Sequence, residues 1–177
     1  MVILVDERDN KIGLQEKMEA HREGNLHRAF SVFIFNKGGE MLLQQRALSK
    51  YHSGGLWTNA CCSHPREGES VEGAAHRRLR EEMGFDTDLK EIFSFIYFAE
   101  LDKGLKEHEY DHVIVGDYDG SISPDPAEVE SFKWIRLENL ERDVRENPKS
   151  YTAWFPIAID RVIDFYKSSN SNRYRNE

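Results

Sequence analysis

Between Thr58 and Gly84 the chain concentrates side chains that can do chemistry. Thr58-Asn59-Ala60-Cys61-Cys62-Ser63-His64-Pro65 brings a thiol and an imidazole together, and the acidic segment that follows ends Arg80-Glu81-Glu82-Met83-Gly84. That mixture suits a metal-assisted or acid–base site better than it suits packing. Further on, Glu107 and Glu109 lie two apart in or beside a strand, so both carboxylates point to one side. His21, His27 and His64 come from three local contexts: the end of a helix candidate, the start of a strand, and a turn. Three imidazoles and two carboxylates form a nitrogen–oxygen donor set that suits a borderline or hard divalent ion such as Zn²⁺ or Mn²⁺. Spacing alone carries this weakly. The chain has seven histidines, any one of which is more often a surface residue, and no compact His-Glu-x-x-His motif is present. His108 points away from the two glutamates and is expected to be a surface or hydrogen-bonded histidine.

The elements that must position these groups read as an irregular alternation of strands and helices. Residues 2–5 form a short strand and Asp6 to Asn10 a turn. A short helix over 14–24 would put Lys17 and His21 on one face. Leu26 to Phe35 is the strongest strand signal, apolar without interruption from Val32, as in a strand covered on both sides. Gly38-Gly39 turns it into a partner strand from Glu40 to Arg46. Ser49 to Gly55 is a polar loop, and Leu56-Trp57-Thr58 is briefly extended. Glu69 to Met83 is a helix with Val71, Ala75, Leu79 and Met83 as its apolar stripe, closed by Gly84. Ile92 to Ala99 and His108 to Tyr118 make a second hairpin about Asp102-Lys103-Gly104. Ser123-Pro124-Asp125-Pro126 breaks regular structure. A strand over 129–135, a helix over 137–144 and a longer helix over 151–166 follow, with Trp154 on its buried side. The tail from about 168 is expected to fray. Two hairpins among the helices predict an α/β (α+β) sandwich built on a mixed sheet with flanking helices, rather than a doubly wound parallel sheet.

The 177 residues suffice for one domain spanning 1–177. A formal charge of -8 argues against a general nucleic-acid binder. A local basic pocket or a bound cation would still admit an anionic small molecule. No apolar run is long enough to cross a bilayer, and the N-terminus lacks the pattern of a secretory signal. The two cysteines are adjacent, poorly placed for an ordinary disulfide, and read as free thiols in the cytoplasm.

From Ser63 to Phe85 the sequence resembles a degenerate Nudix box. Glu69, Arg77, Glu81, Glu82, Gly84 and Phe85 match its pattern, whereas Ser63 stands where the box has Gly and Arg78 where it has Glu. Arg46-Ala47-Leu48-Ser49-Lys50, Leu56-Trp57-Thr58-Asn59, Cys62-Ser63-His64-Pro65, Glu107-His108-Glu109 and Trp154 then resemble the type I isopentenyl-diphosphate isomerases. The likeness runs from about residue 2 to residue 165. It implies a Nudix-like fold and the interconversion of isopentenyl and dimethylallyl diphosphates by a 1,3 proton shift. A Nudix-type diphosphate hydrolase is the alternative, and a non-catalytic metal- or nucleotide-binding module a third.

Carried over by position, the resemblance makes Cys62 and Glu109 the proton-transfer residues, with Tyr97 beside Glu109 and Trp154 over the reacting carbons. His21, His27, His64, Glu107 and Glu109 would ligate one tight divalent metal: Mn²⁺, Zn²⁺ or Mg²⁺. Glu82 would ligate a Mg²⁺ that arrives with the diphosphate. Lys17, Arg46, Lys50 and Arg78 would hold the diphosphate itself. The favoured assignment has Glu109, or a Tyr97–Glu109 pair, giving the proton and Cys62 removing one from the other side. Arg78 and Glu82 are four apart on a helix, so the bland alternative for them is a surface ion pair. Cys61 reads as packing, and Arg77 with Glu81 as a salt bridge that shapes the helix. The expected partner is an isoprenyl diphosphate, with no nucleic acid and no membrane, acting on a monomer or a weak homodimer.

Overall fold

The computed structural model describes residues 1–173. Among them nine strands form one mixed sheet: β1 (Val2–Val5), β2 (Lys11–Gln15), β3 (His27–Phe35), β4 (Glu40–Arg46), β5 (Trp57–Thr58), β6 (Cys61–Ser63), β7 (Leu89–Glu100), β8 (Lys106–Asp117) and β9 (Val129–Arg136). The helices are α1 (Lys17–Glu23), α2 (Val71–Met83), α3 (Leu137–Glu146) and α4 (Phe155–Arg173). None is long and apolar enough to cross a membrane.

Strand β3 is the axis of the molecule. Along one edge it pairs in parallel with β8, from His27 opposite Glu109 to Phe35 opposite Asp117. Its other pairings, all antiparallel, are with β1, β6 and β4. Phe30, Val32 and Ile34 face α2 and pack with Ala75, Leu79 and Met83. Phe33 and Phe35 face the other way, towards α3 and α4, with Leu140, Phe155, Ile159 and Val162. Burial on both faces is why this strand is apolar without alternation. The mixed-sheet sandwich with flanking helices is thus the observed architecture.

Helix α2 is closed at both ends by its own sequence. Ser70 caps the start by accepting a hydrogen bond from Gly73 N–H. Gly84 ends it at φ 75°, and a Cβ there would come within 2.3 Å of the Ser123 carbonyl oxygen. Both constraints require glycine.

Several boundaries differ from expectation. The helix expected over 14–24 is two elements: β2 ends at Gln15, and α1 starts only at Lys17. Glu16 sets the change, accepting from Glu19 N–H as the helix cap. Cys61 to Ser63 is strand rather than turn, because it pairs with Phe30 to Val32. The last helix begins at Phe155, not Tyr151, so Trp154 precedes it; the Trp154 carbonyl accepts from Ile157 and Ala158 N–H. That helix runs on to Arg173, and the rest of the expected frayed tail lies outside the described residues.

Arg77 grips Glu69 in the loop before α2 through Nε (2.7 Å) and Nη2 (2.8 Å), and reaches Glu81 at 3.3 Å. These bonds hold the Glu69 carboxyl down from the usual 4.5 to about 2. A depressed carboxyl stabilises the fold above its unfolded pKa and loses that contribution as pH falls through the folded one. Glu69→Gln should therefore cost about 1 kcal/mol at pH 7. Urea titrations of both proteins should show the difference shrinking between about pH 4.5 and 2.

Candidate active site

The site is assembled across β6, β3, β8 and β7. Because β3 and β8 are parallel and in register, His27 stands beside Glu109; because β7 and β8 are antiparallel, Tyr97 stands on the far side of Glu109. His64 follows β6, and His21 reaches in from the last turn of α1. His64 Nε2 is 2.9 Å from Glu109 Oε1 and 3.2 Å from His27 Nε2. Tyr97 O–H lies 2.6 Å from Glu109 Oε2 and 3.0 Å from Glu107 Oε2, donating to the pair. His108 lies outside this group, with Nδ1 3.0 Å from the Gly24 carbonyl, as expected of the outward-facing histidine.

The donor set fits a divalent cation. Donor atoms of His21, His27, His64 and Glu109 lie within 4.8 Å of one another, and a second group joins His21, His52 and Glu107. Nδ1 of His21 lies 2.7 Å from the Lys17 carbonyl and Nδ1 of His27 2.8 Å from that of Asn25. Holding one ring nitrogen by a carbonyl leaves the other free to ligate. His21 Nε2 is buried with no hydrogen-bond partner, the state of a nitrogen aimed at an ion. Burial lowers the pKa of His21, and takes that of His64 to about 3. Both are therefore neutral and able to ligate at neutral pH. Burial, then repulsion by Glu109, raises Glu107. Burial also opposes the Glu109 charge, but the adjoining His27 and His64 rings hold that carboxyl well below its usual value.

The thiol of Cys62 sits in the same cleft as Glu109 and Trp154. Successive residues of a strand face opposite ways, so Cys61 packs against α2 while Cys62 turns to the site. The Cys62 thiol donates to Asn59 Oδ1 at 3.0 Å and receives the Trp154 indole N–H at 3.1 Å. Burial first, and the charge of Asp111 second, push its pKa up, so the sulfur is a thiol at rest.

Lys17, Arg46, Lys50 and Arg78 line this cleft together. The Nε atoms of Arg46 and Arg78 are buried without a partner. Burial and then the nearby Lys50 lower Lys17 to about 8. Crowded cations with unsatisfied donors can attract an anion. Arg78 also holds the expected ion pair, 2.5 Å from Glu82 Oε1, and contacts Glu81 and Glu128. Burial works against its charge, but Glu82 and Glu81 keep the guanidinium pKa raised. Glu82 is held from its other oxygen by Gln44 at 2.9 Å and joins no three-donor metal group among the described residues. A roomier cavity of about 380 Å³, between β8 and α4, contains none of these groups.

Sequence reasoning gave no role to Asn59, Ser31, Asp111 and His52. Asn59 orients both Cys62 and Trp154, with its amide donating to the Val32 and Cys61 carbonyls. Asp111 extends the Glu107, Glu109 period by one step, which was its available signal; it accepts from Ser31 Oγ at 2.8 Å, and Ser31 Oγ lies 3.6 Å from Cys62 Sγ.

A match to the NUDIX domain family covers residues 25–155. This fold recurs in solved structures: DR0079 from Deinococcus radiodurans (TM-score 0.68, 20% identity, 82% of this chain and 89% of that one) and a MutT protein from Methanosarcina mazei Go1 (0.66, 18%, 80% and 95%). Much closer in sequence are isopentenyl-diphosphate Delta-isomerase 2 of Aromatoleum aromaticum, 53% identical over 92% of this chain and 86% of its own, and the isopentenyl-diphosphate Delta-isomerase of Serratia proteamaculans, 53% identical over 88% and 87%. The chain belongs to the Nudix-fold type I isopentenyl-diphosphate isomerase family.

The cation cluster makes a binding prediction. Inorganic pyrophosphate should bind the metal-loaded protein, measured by calorimetry, and weaken as pH rises through about 8, where free Lys17 loses its proton. Lys17→Arg should flatten that decline, because arginine stays charged.

Proposed function

We propose that this protein interconverts isopentenyl diphosphate and dimethylallyl diphosphate by moving a proton between two carbons. The observation that carries the reading is one cleft lined by a thiol, a hydrogen-bonded carboxylate, an indole and four cations together. Relatives about half identical over most of their length are named isopentenyl-diphosphate Delta-isomerases. A hydrolase reading has only distant fold likeness behind it.

The cations Lys17, Arg46, Lys50 and Arg78 would hold the diphosphate and set the five-carbon tail against Cys62 and Glu109. The alkene is a very weak base, so the acid must be placed against it with water kept out. At rest Cys62 holds a proton and Glu109 does not. Starting from isopentenyl diphosphate, the Cys62 S–H bond breaks and its proton joins the terminal alkene carbon, leaving a tertiary cation. The face of Trp154 stabilises that cation, indole being the strongest cation–π partner. Glu109 then removes a proton from the methylene carbon two bonds away, and those electrons form the new double bond. This reverses the assignment favoured from sequence; the burial that raises Cys62 and the contacts that lower Glu109 support that direction. Tyr97 O–H supports Glu109 from the far side. In the return direction each group exchanges roles.

His21, His27, His64, Glu107 and Glu109 would hold the tight divalent ion, Mn²⁺, Zn²⁺ or Mg²⁺, and Glu82 a Mg²⁺ brought with the diphosphate. Bound there, the ion supplies fixed positive charge that keeps the carboxylates ionised and oriented. For Glu82 to serve, its bond to Arg78 must pass to a phosphoryl oxygen. The small anionic substrate, rather than nucleic acid, fits a chain of net charge -8 that brings four cations together in this cleft. Two free thiols fit action in the cytoplasm, as a monomer or a weak homodimer.

Incubation with isopentenyl diphosphate and Mg²⁺ in deuterated water should yield dimethylallyl diphosphate with deuterium in it. Folded, metal-loaded protein that gives neither product nor label would refute the reading. Cys62→Ala and Glu109→Gln should each lower kcat by about 100- to 10,000-fold, with circular dichroism unchanged.

A further inference from the structure

His52 is buried at 2% exposure, and the proposed reaction leaves its side chain unused. It lines the cleft, its Nε2 is 3.5 Å from Glu107 Oε1, and its ring stacks on that of His21 with centroids 6.0 Å apart. The loop is built to turn this side chain inward. Ser53 carries a positive φ of 52°, a conformation that non-glycine residues adopt at a cost. Gly54 has no room for a Cβ, which would lie 2.8 Å from the Leu48 carbonyl oxygen. Three ties hold the turn: Arg46 Nη2 to the His52 carbonyl at 3.3 Å, Ser53 N–H to Asp102 at 3.2 Å, and Lys103 to the Tyr51 carbonyl at 3.2 Å.

His52 also shares the orientation device of the other histidines. Its Nδ1 lies 3.0 Å from Ser53 Oγ, as Nδ1 of His21 and His27 lie near carbonyls. In each case Nε2 is the nitrogen turned to the cluster. Donor atoms of His52, His21 and Glu107 fall within 4.8 Å of one another. Donor atoms about 2.1 Å from one ion lie at most about 4.2 Å apart; the two groups share His21, so His52 and Glu107 would have to close in on the ion that His27, His64 and Glu109 would hold.

We infer that His52 is itself a metal donor, completing with His21 and Glu107 a second face opposite His27, His64 and Glu109. Six protein donors would close the shell of one ion. The metal would then fix Glu109 without an open position for water or substrate. The inference rests on the metal-site reading given under Proposed function.

The test uses full-length protein loaded with zinc, comparing wild type with His52→Ala and His52→Gln. Zinc affinity is measured by chelator competition, and coordinated imidazoles are counted by X-ray absorption. Wild type should show four imidazoles. Both variants should show three and bind zinc about tenfold to a hundredfold more weakly. Circular dichroism identifies a variant that has failed to fold, and His52→Gln keeps the loop's polarity if the alanine does so. An unchanged imidazole count in a folded variant would overturn the inference, even with weaker binding, because His52 would then act on Glu107 alone. Wild type that takes up no zinc, Mn²⁺ or Mg²⁺ would instead overturn the metal reading, a separate result from a missing fourth imidazole.

Discussion

His27 meets Glu109 only because β3 and β8 run parallel through nine matched positions without a slip. Alternation along β8 is strict, so a shift of one residue would turn Glu107 and Glu109 into the layer packed on α2. The register is held by burial. Phe33 and Phe35 on one side, and Phe30, Val32 and Ile34 on the other, leave β3 a single placement that covers both faces. The donors are therefore located by hydrophobic packing some way from the polar groups themselves. That division suits a site whose buried charges would not assemble unaided.

The cleft combines two electrostatic demands that would each be costly alone. Buried carboxylates on β8 stand next to buried imidazoles, and a few residues away cations from α1, the β4 end and α2 crowd together. Each cluster carries an excess of like groups that a counter-charge relieves. Arg78, one of these cations, occupies a position that is acidic in the ordinary Nudix box. Its bonds to Glu81, Glu82 and Glu128 hold it beside the cleft. The acidic surface implied by the net charge does not prevent local attraction of an anion, since the field within a walled cleft is set by its nearest charges.

Much of this was readable before any coordinates. The long strands, both hairpins, α2 and its Gly84 stop carry strong local signals, because their burial pattern and turn residues agree. What escaped was decided by tertiary contact. Lys11 to Gln15 has a weak alternation and becomes a strand by pairing with β1. Cys61 to Ser63 is too short to announce itself and is extended because β3 offers an edge. Trp154 shows helical periodicity with residues beyond it, yet the Trp57 carbonyl accepts Thr152 N–H and Ala153-Trp154 make a turn, so the helix starts only at Phe155. At the site, the histidines and paired glutamates were visible as residue types, and a family likeness supplied their grouping. His52 was hidden in a polar loop, where only the backbone turn at Ser53 and Gly54 reveals that it faces inward. Asn59 had a conspicuous neighbourhood but no chemistry of its own; its part is to hold two other side chains.

Placing the two cysteines on opposite sides of β6 has a bearing on durability. They cannot close on each other, so damage by peroxide would begin at Cys62, the one less deeply covered. Yet oxidants and alkylating agents attack the thiolate, and the surroundings of Cys62 keep that form scarce. The surroundings that keep the sulfur protonated thus also make it a sluggish nucleophile.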